Sequence, residues 1–404
     1  MLIFYNIGMR LYFLGVVIAS LFNPKARKWL DGRRGLLDKI ESETGEFEGE
    51  TLWVHCASLG EFEMARPIIE RLKVANDKLR IVLTFFSPSG YVVRKDYPYA
   101  DHVFYLPLDT HANAQRFVQI IGPTKTIFVK YDLWYHHLHQ ARKHGSKLML
   151  ISASFQERQS YFKFYGSIGR KALRLFDRIF LVDDRSQKLL SKIGIEIATV
   201  CGDTRYDRVM EIAESDEAVL SIETFKGENK LIVCGSTWPE DEHLLVRCID
   251  RFPNAKWVIA PHEIEDQNLR RLEKLLPPSA RFSSYRNEAV KVMVVDSIGQ
   301  LSKLYKYADV AYVGGGFKTG LHNILEATAF GVPTVFGPDS SRFPDATEMA
   351  EKGLAFSIKN ETELRSKFDS LINSDQSSLK AGILAFMKSR TGATNAIIEY
   401  TNGC

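Results

Sequence analysis

The chain has 404 residues, of which 45% are hydrophobic and 25% charged, with a net charge of +4. That length exceeds the usual range for one core and suggests two domains of about 200 residues each, while the small charge gives no footprint for nucleic acid. Five widely spaced cysteines (Cys56, Cys201, Cys234, Cys248, Cys404) contain no Cys-x-x-Cys pair, so neither a disulfide framework nor a zinc site is indicated and a reducing cytoplasm fits.

Residues 1–22 carry a single charge, Arg10, and are followed by Lys25, Arg27, Lys28, Arg33, Arg34 and Lys39. An apolar stretch of about 20 residues can span a bilayer, and a basic cluster just after it stays on the cytoplasmic side. Arg10 inside the run argues against a cleaved secretory signal. Tyr5, Asn6 and Arg10 weaken a span, so an amphipathic helix lying on the membrane or buried in the fold stays open beside it.

Beyond residue 50, short apolar runs alternate with helix-length segments. Predicted strands are 51–56, 80–84, 102–105, 126–129, 147–151, 178–182 and 198–200. After a polar stretch at 211–228 the alternation restarts at 231–234, 256–260, 291–295, 310–313 and 334–336. This is the pattern of buried parallel strands. The expected fold is α/β: two Rossmann-like doubly wound domains facing across a cleft, the glycosyltransferase B architecture, although dehydrogenases and epimerases share the pattern. The expected boundaries are 1–22 for the membrane anchor or membrane-associated helix, 23–210 for the first domain, 211–228 for a linker, 229–380 for the second domain, and 381–404 for a C-terminal helix that could return to the first domain.

The strand ends carry the chemistry. The first strand runs into Ala57-Ser58-Leu59-Gly60-Glu61, where Ser58 and Glu61 have capping-box spacing. The same carboxylate stands where a general base meets a hydroxyl acceptor, so both readings hold. Lys130, Asp132 and Arg205 supply cations and carboxylates at later strand ends in this half. In the second half, Thr237 and Glu240 again have cap spacing. Pro261 and His262 follow one strand; Ile298, Gly299 and Gln300 follow another. The run Gly314-Gly315-Gly316-Phe317-Lys318-Thr319-Gly320-Leu321-His322-Asn323-Ile324-Leu325-Glu326 follows the strand 310–313. It reads as a loop presenting bare amides to a phosphate, then a helix opened by Asn323, with Glu326 placed to accept ribose hydroxyls.

Several of these motifs together resemble one family. Ser58-Leu59-Gly60-Glu61, Pro107-Leu108-Asp109, Asp132-Leu133-Trp134, Gly202-Asp203-Thr204-Arg205-Tyr206-Asp207, His322-Asn323-Ile324-Leu325-Glu326 and Phe336-Gly337-Pro338 are similar in order and spacing to the 3-deoxy-D-manno-octulosonic acid (Kdo) transferases. The resemblance implies a membrane-bound glycosyltransferase of the bacterial inner membrane, with its domains on the cytoplasmic side. It would move Kdo from CMP-Kdo to the lipid A precursor lipid IVA in lipopolysaccharide synthesis.

It further implies an acceptor-binding first domain and a CMP-sugar-binding second domain. The base would be Glu61, with Asp132 and Arg205 aiding the transition state. CMP contacts would fall on Pro261, His262, Ile298, Gly299, Gln300, Asn323, Ile324, Leu325 and Glu326. No cofactor and no metal are expected, the chain having no Asp-x-Asp. Expected partners are CMP-Kdo, lipid IVA and inner-membrane lipid. The chain departs from the family's Pro-Arg-His at Pro261-His262-Glu263, from its Glu-Leu-Trp-Pro-Asn at Asp132-Leu133-Trp134-Tyr135-His136, from its Gly-Glu-Leu at Gly299-Gln300-Leu301, and from its lysine at Arg205. A UDP-sugar transferase or epimerase of the same architecture, or a non-catalytic membrane-tethered nucleotide-binding protein, are the alternatives.

Overall fold

Strands buried on both faces need helices on both sides, and each half of the chain supplies them. The computed structural model describes residues 2–215 and 218–403. It divides into two compact units, Met1–Arg208 with Thr391–Cys404, and Val209–Arg390.

The first unit holds β1 (Thr51–Cys56), β2 (Arg80–Phe85), β3 (His102–Tyr105), β4 (Lys125–Val129), β5 (Lys147–Ala153), β6 (Arg178–Leu181) and β7 (Ala198–Val200). They form one sheet in the order β3-β2-β1-β4-β5-β6-β7, with every pairing parallel. Alternate residues go to opposite covered faces. Trp53, Val82 and Phe128 enter one core, while Leu52, Val54, Leu83 and Ile127 enter the other. The chain reverses direction along the sheet between β1 and β4, which opens a crevice at their carboxyl ends.

The second unit holds β8 (Lys230–Thr237), β9 (Ala255–Pro261), β10 (Ser279–Arg281), β11 (Val292–Val294), β12 (Val310–Val313), β13 (Thr334–Phe336) and β14 (Ala355–Ser357). Their order is β10-β11-β9-β8-β12-β13-β14, again all parallel. Here the reversal falls between β8 and β12. The sequence reading missed β10 and β14, both edge strands of three residues with at least one partly exposed position, which leaves no apolar run to detect.

Two boundary expectations change. Residues 211–228 are not a plain linker: they include the end of the helix Thr204–Glu214 and the helix Leu220–Lys226, with 216–217 outside the described residues. Residues 381–404 form not one helix but parts of two, Ser377–Ser389 and Ala393–Asn402. The second of these belongs to the first unit, where Ile397 enters the core that Leu52, Ile68, Met149 and Phe180 share. Asp207 holds it there. Its carboxylate accepts from the amides of Gly392 at 2.6 Å and Thr394 at 2.7 Å, capping the helix N-terminus.

The N-terminal apolar segment is the helix Leu2–Ala19, long and apolar enough to cross a membrane by length and composition. One side of it docks on the first unit. Tyr5 Oη donates to Asp109, Asn6 Oδ1 bonds His136 Nε2 at 2.7 Å, and Tyr12 meets Trp29 edge-on. Two of the three residues that counted against a span, Tyr5 and Asn6, are thus the helix's attachments to the domain. Leu2, Ile3, Phe4, Ile7, Leu11, Phe13, Leu14 and Ile18 are all exposed.

Candidate functional site

β1 ends at Cys56 and the helix Leu59–Ala75 begins three residues later, with Ser58 as its N-cap. Glu61 Oε2 accepts from the amides of Ala57 at 2.5 Å and Ser58 at 3.2 Å. The capping box is real, and it uses one carboxylate oxygen; no described residue donates to Oε1. Capping and catalysis are therefore compatible readings of Glu61. Burial, then the nearby Asp132 carboxylate, raise its proton affinity above that of an ordinary glutamate.

Asp132 lies in the turn after β4, across the switch point from Glu61. The turn begins at Lys130, which follows β4 with φ of 64°, a left-handed conformation that a lysine rarely adopts. Trp134 Nε1 donates to Asp132 Oδ2 at 2.7 Å, and His55 Nε2 lies 2.9 Å from the same oxygen. Sequence reasoning missed His55. Its signal was a histidine two residues after Trp53 on the same face of an otherwise apolar strand.

Arg205 opens the helix Thr204–Glu214 and pairs with buried Asp203 through Nε at 2.8 Å and Nη2 at 2.7 Å. The structure thus brings Glu61, His55 and Asp132 together, while Arg205 stands in its own pair at the β7 end.

In the second unit, β8 turns through Ser236, with φ of 52°, into the helix Pro239–Ile249. Neither Thr237 nor Glu240 caps this helix. Glu240 instead pairs with Lys318 at 3.0 Å in solvent, and the capping carboxylate is Asp241. Asp241 Oδ2 accepts from the amides of Trp238 and Gly315, both at 2.9 Å, and Oδ1 accepts from Tyr312 Oη at 2.7 Å. One buried carboxylate ties β8, β12 and the glycine loop together.

The glycines serve close packing. A Cβ on Gly316 would stand 2.8 Å from Gly337, and one on Gly315 only 2.2 Å from the Gly320 carbonyl. The amides of Gly314, Gly315 and Gly320 are engaged by Gly235 O, Asp241 and Gly315 O. The bare amides of the loop are those of Gly316 to Thr319, fewer than the run of glycines suggests.

The helix after Asn323 is also shorter than expected, a single turn at Leu325–Thr328. Asn323 Oδ1 accepts from the Leu325 amide at 3.1 Å and its Nδ2 lies 3.4 Å from Glu326 Oε1. The amides of Asn323 and Ile324, like those of Gly316 to Thr319 in the loop, have no acceptor among the described residues and are open to an anion.

Three rings stack beside this turn. His262, following Pro261 at the end of β9, lies 4.7 Å from Trp238 and 4.5 Å from His322 between ring centres. Trp238 Nε1 donates to His322 Nε2 at 2.9 Å. Burial, with His262 beside it, pushes His322 down to about 4, so its ring is neutral near pH 7 and accepts that bond. Gly299, with φ of 86°, and Gln300 form the turn from β11 into a short helix; Ile298 beside them is 81% exposed. Among the described residues no group of three or more His, Cys, Asp or Glu could hold a metal.

A family model described as 3-deoxy-D-manno-octulosonic-acid transferase matches residues 29–208. The chain is 30% identical to the 3-deoxy-D-manno-octulosonic acid transferase of Aquifex aeolicus over 80% of this chain and 86% of that one. It is 30% identical to that of Chlamydia trachomatis (81% and 79%) and 26% identical to that of Haemophilus influenzae (96% and 94%). In fold it is similar to the UDP-GlcNAc 2-epimerase of Neisseria meningitidis, with a TM-score of 0.62 at 15% identity over 88% of this chain and all of that one. It is also similar to MurG of Acinetobacter baumannii, with a TM-score of 0.55 at 11% identity over 88% of this chain and 100% of that one. The fold is glycosyltransferase B.

Proposed function

The chain belongs to the 3-deoxy-D-manno-octulosonic acid (Kdo) transferase family, and on that premise we propose that it transfers Kdo from CMP-Kdo to lipid IVA with Glu61 as general base. The observation that carries the mechanism is Glu61 itself. One carboxylate oxygen is fixed by two backbone amides, the other has no donor, and burial beside Asp132 raises its proton affinity.

In the step we propose, Glu61 Oε1 takes the proton of the acceptor hydroxyl as its oxygen bonds the anomeric carbon of Kdo. The bond from that carbon to the CMP phosphate breaks, and the leaving phosphate carries away the electron pair. Attack opposite the leaving group inverts the anomeric centre. Asp132 adds its charge beside Glu61, and Arg205, held by Asp203 at the end of β7, supplies a cation for the acidic sugar. In the second unit the amides of Asn323 and Ile324 hold the departing phosphate, and Pro261, His262, Ile298, Gly299, Gln300, Leu325 and Glu326 surround CMP. The proposal uses no metal and no cofactor. The exposed apolar side of Leu2–Ala19 enters the cytoplasmic leaflet of the inner membrane, where the lipid acceptor resides.

The test is transfer from CMP-Kdo to lipid IVA followed by product mass, with UDP sugars as competing donors. Glu61→Ala should lower kcat by on the order of 10²–10⁴-fold while leaving CMP binding unchanged by calorimetry. Substantial transfer by the folded variant would refute the assignment.

A further inference from the structure

His55 occupies a place where the sheet expects an apolar side chain. It is fully buried on β1, on the face that Trp53 shares, against Phe128 at 4.9 Å between ring centres. A buried imidazole costs stability unless both ring nitrogens are bonded, and here both are. Nδ1 lies 2.9 Å from Thr84 Oγ1 and Nε2 lies 2.9 Å from Asp132 Oδ2.

The neighbours settle which nitrogen carries the proton. Trp53 Nε1 can only donate, and it reaches Thr84 Oγ1 at 2.8 Å. The Thr84 hydroxyl then has one hydrogen to give, and His55 Nδ1 at 2.9 Å is a nearer acceptor than Val54 O at 3.4 Å. A neutral ring that accepts at Nδ1 must donate at Nε2, toward a carboxylate that can only accept when ionised. The chain of donors runs Trp53 to Thr84 to His55 to Asp132.

We propose that His55 is a positioning residue for this site, holding Asp132 through Oδ2 so that Oδ1 faces the reacting groups beside Glu61. Trp134 donates to the same Oδ2, and no described residue donates to Oδ1. The charged groups facing the ring are Asp132 in contact, with Glu61 and Lys130 near enough to act on the same charges. This role rests on the transfer reaction proposed above, but the geometry it requires does not.

The geometry is tested first, on the full chain, by imidazole ¹⁵N spectra at neutral pH, with the His55 signals identified by their loss in His55→Gln. The expected result is a protonated Nε2 and an unprotonated Nδ1, with the Nε2 signal displaced in Asp132→Asn. The opposite tautomer, or signals indifferent to Asp132→Asn, would overturn the proposal whatever the enzyme transfers.

Kinetics test the consequence. His55→Leu should lower kcat by on the order of 10²-fold with the donor KM unchanged, and His55→Gln should restore most of it by supplying an amide N–H toward Asp132. In an Asp132→Ala background His55→Leu should have no further effect. Equal losses in both backgrounds, or a folded His55→Gln no better than His55→Leu, would make His55 a packing residue only. A wild-type chain that transfers no Kdo would sink the proposed reaction, and the spectra would still decide the role of His55.

Discussion

Glu61 shows how one side chain serves two ends at different oxygens, with Oε2 closing the capping box and Oε1 left for a proton. Its pH dependence follows from burial, which together with Asp132 lifts the carboxyl above its ordinary range. Activity that needs the ionised form should therefore fall on acidification at a pH above the ordinary glutamate value of about 4.3. Stability has the opposite sense. A raised acid contributes stability below its unfolded pKa and loses it as pH rises through the folded one. Glu61→Gln should accordingly raise the melting temperature at pH 7 and not at pH 4, and an equal shift at both would show that the carboxyl is not perturbed. Ser58 and Glu61 were legible because a capping box has a spacing. His55 was not, because its partners Thr84 and Asp132 lie 29 and 77 residues away, and Asp241 was legible only as a cap, since its bonds to Tyr312 and Gly315 span 71 and 74 residues and no local pattern records such contacts.

Among the elements, the buried strands were legible because apolar runs bounded by helical segments are local. The single turn at Leu325–Thr328 was not, since apolar residues continue through Ala329, Phe330 and Val332 although the chain leaves the helix and turns at Gly331, with φ of 72°. The glycine loop was placed correctly and explained in part: its glycines are also required where Gly316 meets Gly337 and Gly315 meets the Gly320 carbonyl, contacts no sequence spacing displays.

The two terminal helices give the tests at this scale. Removing the cap in Asp207→Ala should cost about 0.5–2 kcal/mol in denaturant unfolding of the first unit. Hydrogen exchange should speed up over Ala393–Asn402; unchanged protection would mean that packing of Ile397 alone holds the helix. At the other end, Phe4 and Leu11 are 74% and 62% exposed. Replacing both with glutamate should release the protein from vesicles of anionic phospholipid without lowering its melting temperature. Retention on the vesicles would place the membrane contact elsewhere.

At the scale of the whole molecule, each unit has its own pair of cores on the two faces of its sheet. A ligand that binds one native core stabilises that core alone. CMP at about 100 times its Kd contributes about 2.7 kcal/mol, which for a unit of this size raises the melting temperature by about 5–11 °C. Calorimetry of the full chain should show one of two transitions moving with CMP and the other fixed. A common shift of both would mean that the nucleotide also engages the first unit or that the units unfold together.

The cap that Asp207 places on the helix Ala393–Asn402 carries a consequence for how the chain is made. Everything from Val209 to Arg390 is an insertion into the first unit, whose core is complete only when Ile397 arrives. On the ribosome the second unit can finish while its host still waits for its last residues. The unit begun first is closed last, and a chain stopped short of residue 393 would leave that core without Ile397 and Phe180 of β6 without the ring of Tyr400, although every residue proposed to act on the acceptor had already been synthesised.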